Sequence, residues 1–129
     1  LNVVEFGKNE ITLSSAAMPP IYFYNAKDGL LEEFSNNGLP LGSLRNEEYV
    51  LEKRKFREGD VLVQFSDGLP EAPNLAGDLY DYDRLKSLIQ NSCHLSANEI
   101  IDTLVKSVDE WMQGQSNPDD ITLVVTKKK

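Results

Sequence analysis

Short apolar runs separated by turn residues fill the first half of the chain, and a helical period takes over in the second. Leu1-Asn2-Val3-Val4-Glu5-Phe6, the turn Gly7-Lys8-Asn9 and Glu10-Ile11-Thr12-Leu13-Ser14-Ser15 form the pattern of a β-hairpin. Pro19-Pro20 interrupts the ladder, because neither residue carries an amide proton, and Ile21-Tyr22-Phe23-Tyr24 resumes it. Asp28-Gly29 turns the chain into a strand over residues 30–34. Asn36-Asn37-Gly38 and Leu39-Pro40-Leu41-Gly42 then predict a loop whose two glycines can adopt positive φ at little cost. Residues 48–56 predict a long strand on an exposed edge, marked by Glu52, Lys53, Arg54 and Lys55. Val61-Leu62-Val63-Gln64-Phe65 has the length and continuity of a central buried strand, and it stops at Ser66-Asp67-Gly68.

Residues 69–80, with Pro70, Pro73 and Gly77, predict a loop without structure of its own, long enough to suggest function. A short helix follows over residues 82–91. Ser96 and Glu99 have the reciprocal spacing of a capping box, which starts a second helix. Ile100, Ile101, Leu104, Val105, Val108, Trp111 and Met112 form its apolar stripe, opposite Asp102, Lys106, Asp109 and Glu110. Residues 114–118 break the helix, and a last strand is expected over residues 121–126. Strands first and helices later imply an α+β domain.

With 129 residues and 40% hydrophobic content, one domain core is the expectation. The formal charge of −8 disfavours a nucleic-acid partner and fits a cation or a basic surface. Cys93 and His94 are the only residues of their kinds, and neither an internal disulfide nor an intramolecular zinc cluster has support. No apolar run reaches the length of a membrane span, so no membrane contact is expected from this segment. The chain opens at Leu1 inside a strand-like run, which predicts that it lies within a longer protein.

Candidate chemistry rests on carboxylates at the ends of the most apolar strands. Asp67 shares alternation parity with Val61, Val63 and Phe65, and Asp119 with Ile121, Leu123 and Val125, so both are expected on the core side. Asp120 has the opposite parity and stands as the alternative ligand, with Gly68 adjacent to Asp67. Such carboxylates suit magnesium or manganese, which prefer oxygen donors and, in pairs, activate water against a phosphoryl group. Asp67-Gly68 as a plain turn, and Asp119-Asp120 as a polar approach to a strand, are the simpler alternatives.

The order of several strings carries more than any one of them. Met18-Pro19-Pro20, Gly38-Leu39-Pro40-Leu41-Gly42, the run from Gly59 through Ser66-Asp67-Gly68-Leu69-Pro70-Glu71-Ala72, Gly77-Asp78-Leu79-Tyr80, Arg84-Leu85 and Asn117-Pro118-Asp119-Asp120-Ile121-Thr122-Leu123 together resemble the PPM-type phosphatases of the SpoIIE and RsbU class. The resemblance covers nearly the whole chain. It implies a two-sheet antiparallel β-sandwich with flanking helices, similar to protein phosphatase type 2C. It also implies hydrolysis of phosphoserine or phosphothreonine with two Mn2+ or Mg2+ ions, held in part by Asp67 and Asp119.

The implied substrate is a phosphorylated regulatory protein, typically a STAS-type anti-sigma factor antagonist. The implied setting is cytoplasmic, in a parent protein that can carry a sensor or a membrane anchor upstream. Two family motifs, Gly-Asp-aromatic-aromatic-Asp and Asp-x-Ser-Gly-His-Gly, do not occur here. Residues 1–129 are therefore expected to be the C-terminal portion of the domain, lacking its N-terminal strands and helices and half of the metal site, and inactive alone. Ala16-Ala17-Met18 stands where many members have Ala-Gly-His, and Asp81 where a glycine is frequent. A catalytically inactive module that binds a regulatory protein is the competing reading, and an unrelated acidic β-sandwich a remoter one. Unpaired strand edges near residues 1–15 make self-association, and hence a homo-oligomer, an expectation.

Overall fold

The computed structural model describes every residue of the chain except 36 and 37. Two antiparallel sheets and two helices build it in three layers. Strands β1 (Asn2–Phe6), β2 (Glu10–Ser15) and β5 (Glu52–Lys55) form one sheet in the order β1-β2-β5. Strands β3 (Ile21–Asn25), β4 (Leu30–Phe34), β6 (Val61–Phe65) and β7 (Leu123–Lys127) form the other, in the order β4-β3-β6-β7. Helices α1 (Tyr82–Ser92) and α2 (Ala97–Met112) pack on the outer face of the four-stranded sheet. The expected sandwich with flanking helices is thus the observed architecture.

Alternation along β3 and β6 divides the apolar interior in two. Ile21, Phe23 and Leu62 face the three-stranded sheet and meet Ile11, Leu13, Phe34 and Phe56. Tyr22, Val61, Val63 and Phe65 face the helices and meet Leu85, Ile89, Ile100, Leu104, Val108 and Met112. A one-residue slip of β6 would exchange these two sets, so its register is fixed from both sides. Each fully buried Leu, Ile or Val contributes about 1.5–3 kcal/mol, which makes β6 the most costly strand to disturb.

The capping box forms as expected. Ser96 Oγ accepts from the Glu99 amide, and the Glu99 carboxylate accepts from Ser96 N at 2.9 Å. The Ser96 hydroxyl, which also donates to that carboxylate at 2.6 Å, and then the Ser96 amide hold the Glu99 carboxyl below its usual range. The apolar stripe of α2 is narrower than its sequence suggests. Ile100, Leu104, Val108 and Met112 are buried, whereas Val105 is exposed.

Several expectations require correction. The strand predicted over residues 48–56 is limited to Glu52–Lys55, because the Tyr49 hydroxyl donates to Leu39 O and its ring packs at Gly38, drawing the chain away from the ladder. The last strand is shifted to Leu123–Lys127, since the Thr122 amide donates to Ser66 Oγ rather than to a strand carbonyl. In the loop that follows β4, Gly42 has φ +85°, and a side chain at Gly38 would meet Ser15 O and the Tyr49 ring. The Asn36-Asn37 part of that loop lies outside the described residues.

The 69–80 segment is also more ordered than expected. The Asn74 side chain accepts from the amides of Ala76 and Asp78, Pro73 bridges to Leu79, and Leu69, Ala72 and Tyr80 are buried. Arg84 lies 4.1 Å above the Trp111 ring, which holds the start of α1 against α2.

Two polar residues secure the connections. Asp60, 3% exposed, accepts from Ala26 N at 2.9 Å and Arg57 N at 2.7 Å, so both of its buried oxygens have backbone donors. Asp81 caps α1 at φ 75° and ψ 151°, a region that L side chains avoid and glycine enters freely. This explains physically why glycine suits the position. Asp81→Gly is expected to stabilise the fold by about 1 kcal/mol, the relieved strain exceeding the few tenths lost with the cap. A rise in the denaturation midpoint at unchanged slope is the measurement, and a fall would contradict it.

Candidate functional site

The turn that ends β6 and the loop that leads into β7 meet at one end of the four-stranded sheet. β6 and β7 are antiparallel neighbours, with Phe65 opposite Leu123, so the residues after the first and before the second must adjoin. Ser66 N donates to Thr122 O at 2.9 Å, and Ser66 Oγ donates to Asp120 O at 3.0 Å while accepting from Thr122 N at 2.9 Å. Asn117 Nδ2 donates to Gly68 O at 2.7 Å from the other side. Three hydrogen-bonding groups thus clamp the Asp67-Gly68 turn to the Asp119-Asp120 loop.

Gly68 makes the clamp sterically possible. A Cβ added there would lie 2.5 Å from Asp120 O and 3.0 Å from its carbonyl carbon, so no side chain fits between the loops without backbone movement. Gly68 itself is buried, but Asp67, Asp119 and Asp120 are all exposed. The expectation that Asp67 and Asp119 face the core is therefore wrong. The chain leaves β6 at Ser66, and residues 119–122 precede β7, so strand alternation does not extend to either aspartate.

Local hydrogen bonds orient the carboxylates. Asp67 Oδ1 accepts from Gly68 N at 3.1 Å, and Asp119 Oδ1 accepts from Asp120 N at 2.8 Å. Two exposed carboxylates on tethered loops offer hard oxygen donors of the kind that magnesium and manganese take, though only part of a six-oxygen shell. Among the described residues, no three of His, Cys, Asp and Glu converge as a metal-holding group.

Tyr82 is a neighbour that the sequence did not single out. Burial, then Glu71 and Asp67, raise its hydroxyl above the usual phenol range, so it stays protonated beside the carboxylates. No periodicity or motif marks it, because its proximity comes from α1 folding back over Phe65, with ring centroids 6.4 Å apart. Ser66 and Asn117 had a weak signal in lying within the strings that carry the family resemblance, but their clamping role is a matter of tertiary contact.

Other features lie away from this end. Cys93 is buried in the helix-side core, where burial pushes its thiol up to about 11. A hollow of about 670 Å³ lined by Lys8, Asn9, Glu10, Lys55, Arg57 and Glu58 opens at the opposite end of β6. No helix is long and apolar enough to cross a membrane among the described residues.

The chain is 30% identical over 122 residues to the phosphoserine phosphatase RsbU of Bacillus subtilis (strain 168), a match covering 95% of this chain and 36% of RsbU. It is 21% identical to the protein IcfG of Synechocystis, covering 95% of this chain and 19% of that one. The chain thus spans well under half the length of these curated relatives.

Among solved structures, the SiaA-PP2C domain of Pseudomonas aeruginosa superposes with a TM-score of 0.80 at 17% identity, over 95% of this chain and 48% of that one. The phosphatase domain of SpoIIE from Bacillus subtilis, presoaked in Mn, gives 0.73 at 17% identity, over 99% and 56%. These two likenesses establish the fold. The family model for Stage II sporulation protein E matches residues 1–129, and the chain belongs to that SpoIIE family, within the PPM phosphatases of the SpoIIE and RsbU class.

Proposed function

We propose that this chain is the C-terminal portion of a metal-dependent serine/threonine phosphatase domain, and that Asp67 and Asp119 hold part of its divalent-metal site. The observation that carries the proposal is the contact of Gly68 with Asp120, which places two carboxylate-bearing loops side by side at the end of β6 and β7. A turn or a polar strand approach alone would not need Ser66 and Asn117 to tie the loops together. The relatives support the class of reaction, since RsbU is a phosphoserine phosphatase and the SpoIIE domain was presoaked in Mn.

Mn2+ or Mg2+, when bound, would supply positive charge toward a phosphoryl oxygen and lower the pKa of a bound water. The chain's own part is to hold the cation through Asp67 and Asp119, with Asp120 as an alternative donor. The fixed loops keep those carboxylates in place without reorganisation. Tyr82, kept protonated, offers a hydrogen-bond donor at the same end. Nothing in the acidic surface favours nucleic acid, and a phosphorylated protein is the proposed substrate. As the motif resemblance to the SpoIIE and RsbU class implies, we take that substrate to be a STAS-type anti-sigma factor antagonist and the parent enzyme to act in the cytoplasm.

Excess chelator is expected to abolish phosphate release from a phosphoserine protein by the complete protein, with recovery on adding manganese. Full activity in chelator would sink the metal-dependent mechanism. A catalytically inactive binding module is the second proposal. The observation that favours it is that no third metal-ligating side chain joins Asp67 and Asp119 among the described residues. Absence of any manganese-stimulated turnover in the complete protein would select it.

A further inference from the structure

We propose that the hollow at the end of β6 opposite Asp67 is a binding site for a compact phosphate-bearing anion, held by Lys8, Lys55 and Arg57. Three connections meet there. The turn from β1 into β2 contributes Lys8, Asn9 and Glu10, the end of β5 contributes Lys55, and the turn into β6 contributes Arg57 and Glu58, around a volume of about 670 Å³. Small-molecule sites ordinarily enclose about 300–1,000 Å³. β6 has five residues, so about 15 Å of strand separates the hollow from Asp67, and occupancy there does not depend on the metal site.

Backbone hydrogen bonds fix the walls. Phe56 N donates to Asn9 O at 2.9 Å, which ties the end of β5 to the first turn, and Gly7 N donates to Glu10 O at 2.8 Å across that turn. Asp60 closes the turn into β6, its amide donating to Arg57 O at 3.0 Å and its carboxylate accepting from Arg57 N at 2.7 Å. Lys128 joins the two turns, since Gly59 N donates to its carbonyl at 3.0 Å and its Nζ donates to Lys8 O at 2.9 Å. The frame that carries the three cationic heads is thus in place before any ligand arrives, which lowers the ordering cost of binding.

The three cations have no carboxylate partner. Among the described residues, the ion pairs are those of Arg54 with Glu32 and Glu52, Lys86 with Glu33 and Lys106 with Glu110, and none involves Lys8, Lys55 or Arg57, although the chain carries a surplus of carboxylates. Lys55 stands directly opposite Glu10 in the register of β2 with β5, where unlike charges ordinarily meet. Glu10 instead folds over its own turn, so that a Cβ on Gly7 would lie 3.1 Å from its Cγ and 3.9 Å from its Oε1.

Two ammonium groups and a guanidinium exceed what a single carboxylate neutralises and suit a phosphate ester or pyrophosphate, whose oxygens the guanidinium fork takes in pairs. Lys128, anchored to Lys8 O, adds a further positive charge beside them. Glu10 and Glu58 limit the size of the ligand, because they repel a long polyanion such as nucleic acid.

Calorimetric titration of the complete protein with inorganic pyrophosphate, in excess chelator so that no catalytic metal takes part, tests the site. Saturable binding is expected, weakened at least about 10-fold in each of Lys55→Gln and Arg57→Gln and strengthened about 3-fold in Glu10→Gln. Lys106→Gln, on the exposed face of α2, should leave the affinity unchanged. Equal weakening there would mean that pyrophosphate senses only net charge, and would overturn the proposal. Absence of saturable heat would overturn it as well. So would binding that is lost in Asp67→Asn and kept in Arg57→Gln, which would move the anion to the active end. Inorganic phosphate, titrated alongside, separates the two sources of the ligand, equal affinity assigning the site to free phosphate and weaker affinity to linked phosphates, with the site upheld in both cases.

Discussion

Asp67→Asn or Asp119→Asn is expected to lower turnover of the complete enzyme by about 1,000-fold, while circular dichroism and the denaturation midpoint stay close to those of the parent. Asparagine retains the oxygen that accepts from Gly68 N at position 67 and from Asp120 N at position 119, so the turn geometry survives. What is lost is the negative charge and the second carboxylate oxygen. Loss of several kcal/mol of charge stabilisation corresponds to about three powers of ten in rate. Asp120→Asn should have a smaller effect, because Asp120 enters the clamp through its backbone carbonyl and amide, which the substitution leaves unchanged. A large loss at Asp120 with little at Asp119 would reverse the proposed assignment. Steady-state kinetics on a phosphoserine protein across a manganese titration distinguishes weakened metal affinity from a lower rate at saturation.

Gly68→Ala is expected to cost about 100-fold in turnover and about 1–3 kcal/mol in stability. Its Cβ would meet the backbone of Asp120 at 2.5 Å, and backbone cannot swing aside as the far end of a side chain can. The loops must therefore separate, taking Asp67 away from Asp119 and straining the Ser66 and Asn117 hydrogen bonds. Gly77→Ala serves as the comparison. Gly77 has φ +86° but nothing within 4 Å of an added Cβ, so its penalty should fall on local stability and leave turnover largely unchanged. Equal loss of turnover in both variants would mean that loop apposition at Gly68 has no special role.

Much of the fold could be read directly. The hairpin of β1 and β2, the central position of β6 and the start of α2 each follow from a local pattern that the whole structure reinforces. Alternation, continuous apolar length and a capping box are effects of neighbouring residues, and so survive without knowledge of distant partners. The ends of β5 and β7 were less legible, because each is decided by a contact from elsewhere, Tyr49 with Leu39 in one case and Ser66 with Thr122 in the other.

The candidate site divides in the same way. Asp67 and Asp119 could be named from their strings, but not their surroundings. They are 52 positions apart, and only the pairing of β6 with β7 brings their loops together. Strand parity gave them the wrong face, since it ceases to apply once the backbone leaves the ladder. The amino-acid sequence by itself determined the elements, their order, the buried faces and the identity of the acidic residues, all of which depend on short-range stereochemistry and hydrophobic pattern. Tertiary structure alone decided that Gly68 must lack a side chain, that Ser66 and Asn117 tie the loops, that Tyr82 lies beside them, and that Lys8, Lys55 and Arg57 line one hollow at the other end of β6. Each of these depends on which distant backbone groups come within hydrogen-bonding or van der Waals distance, and no local run of residues encodes that distance.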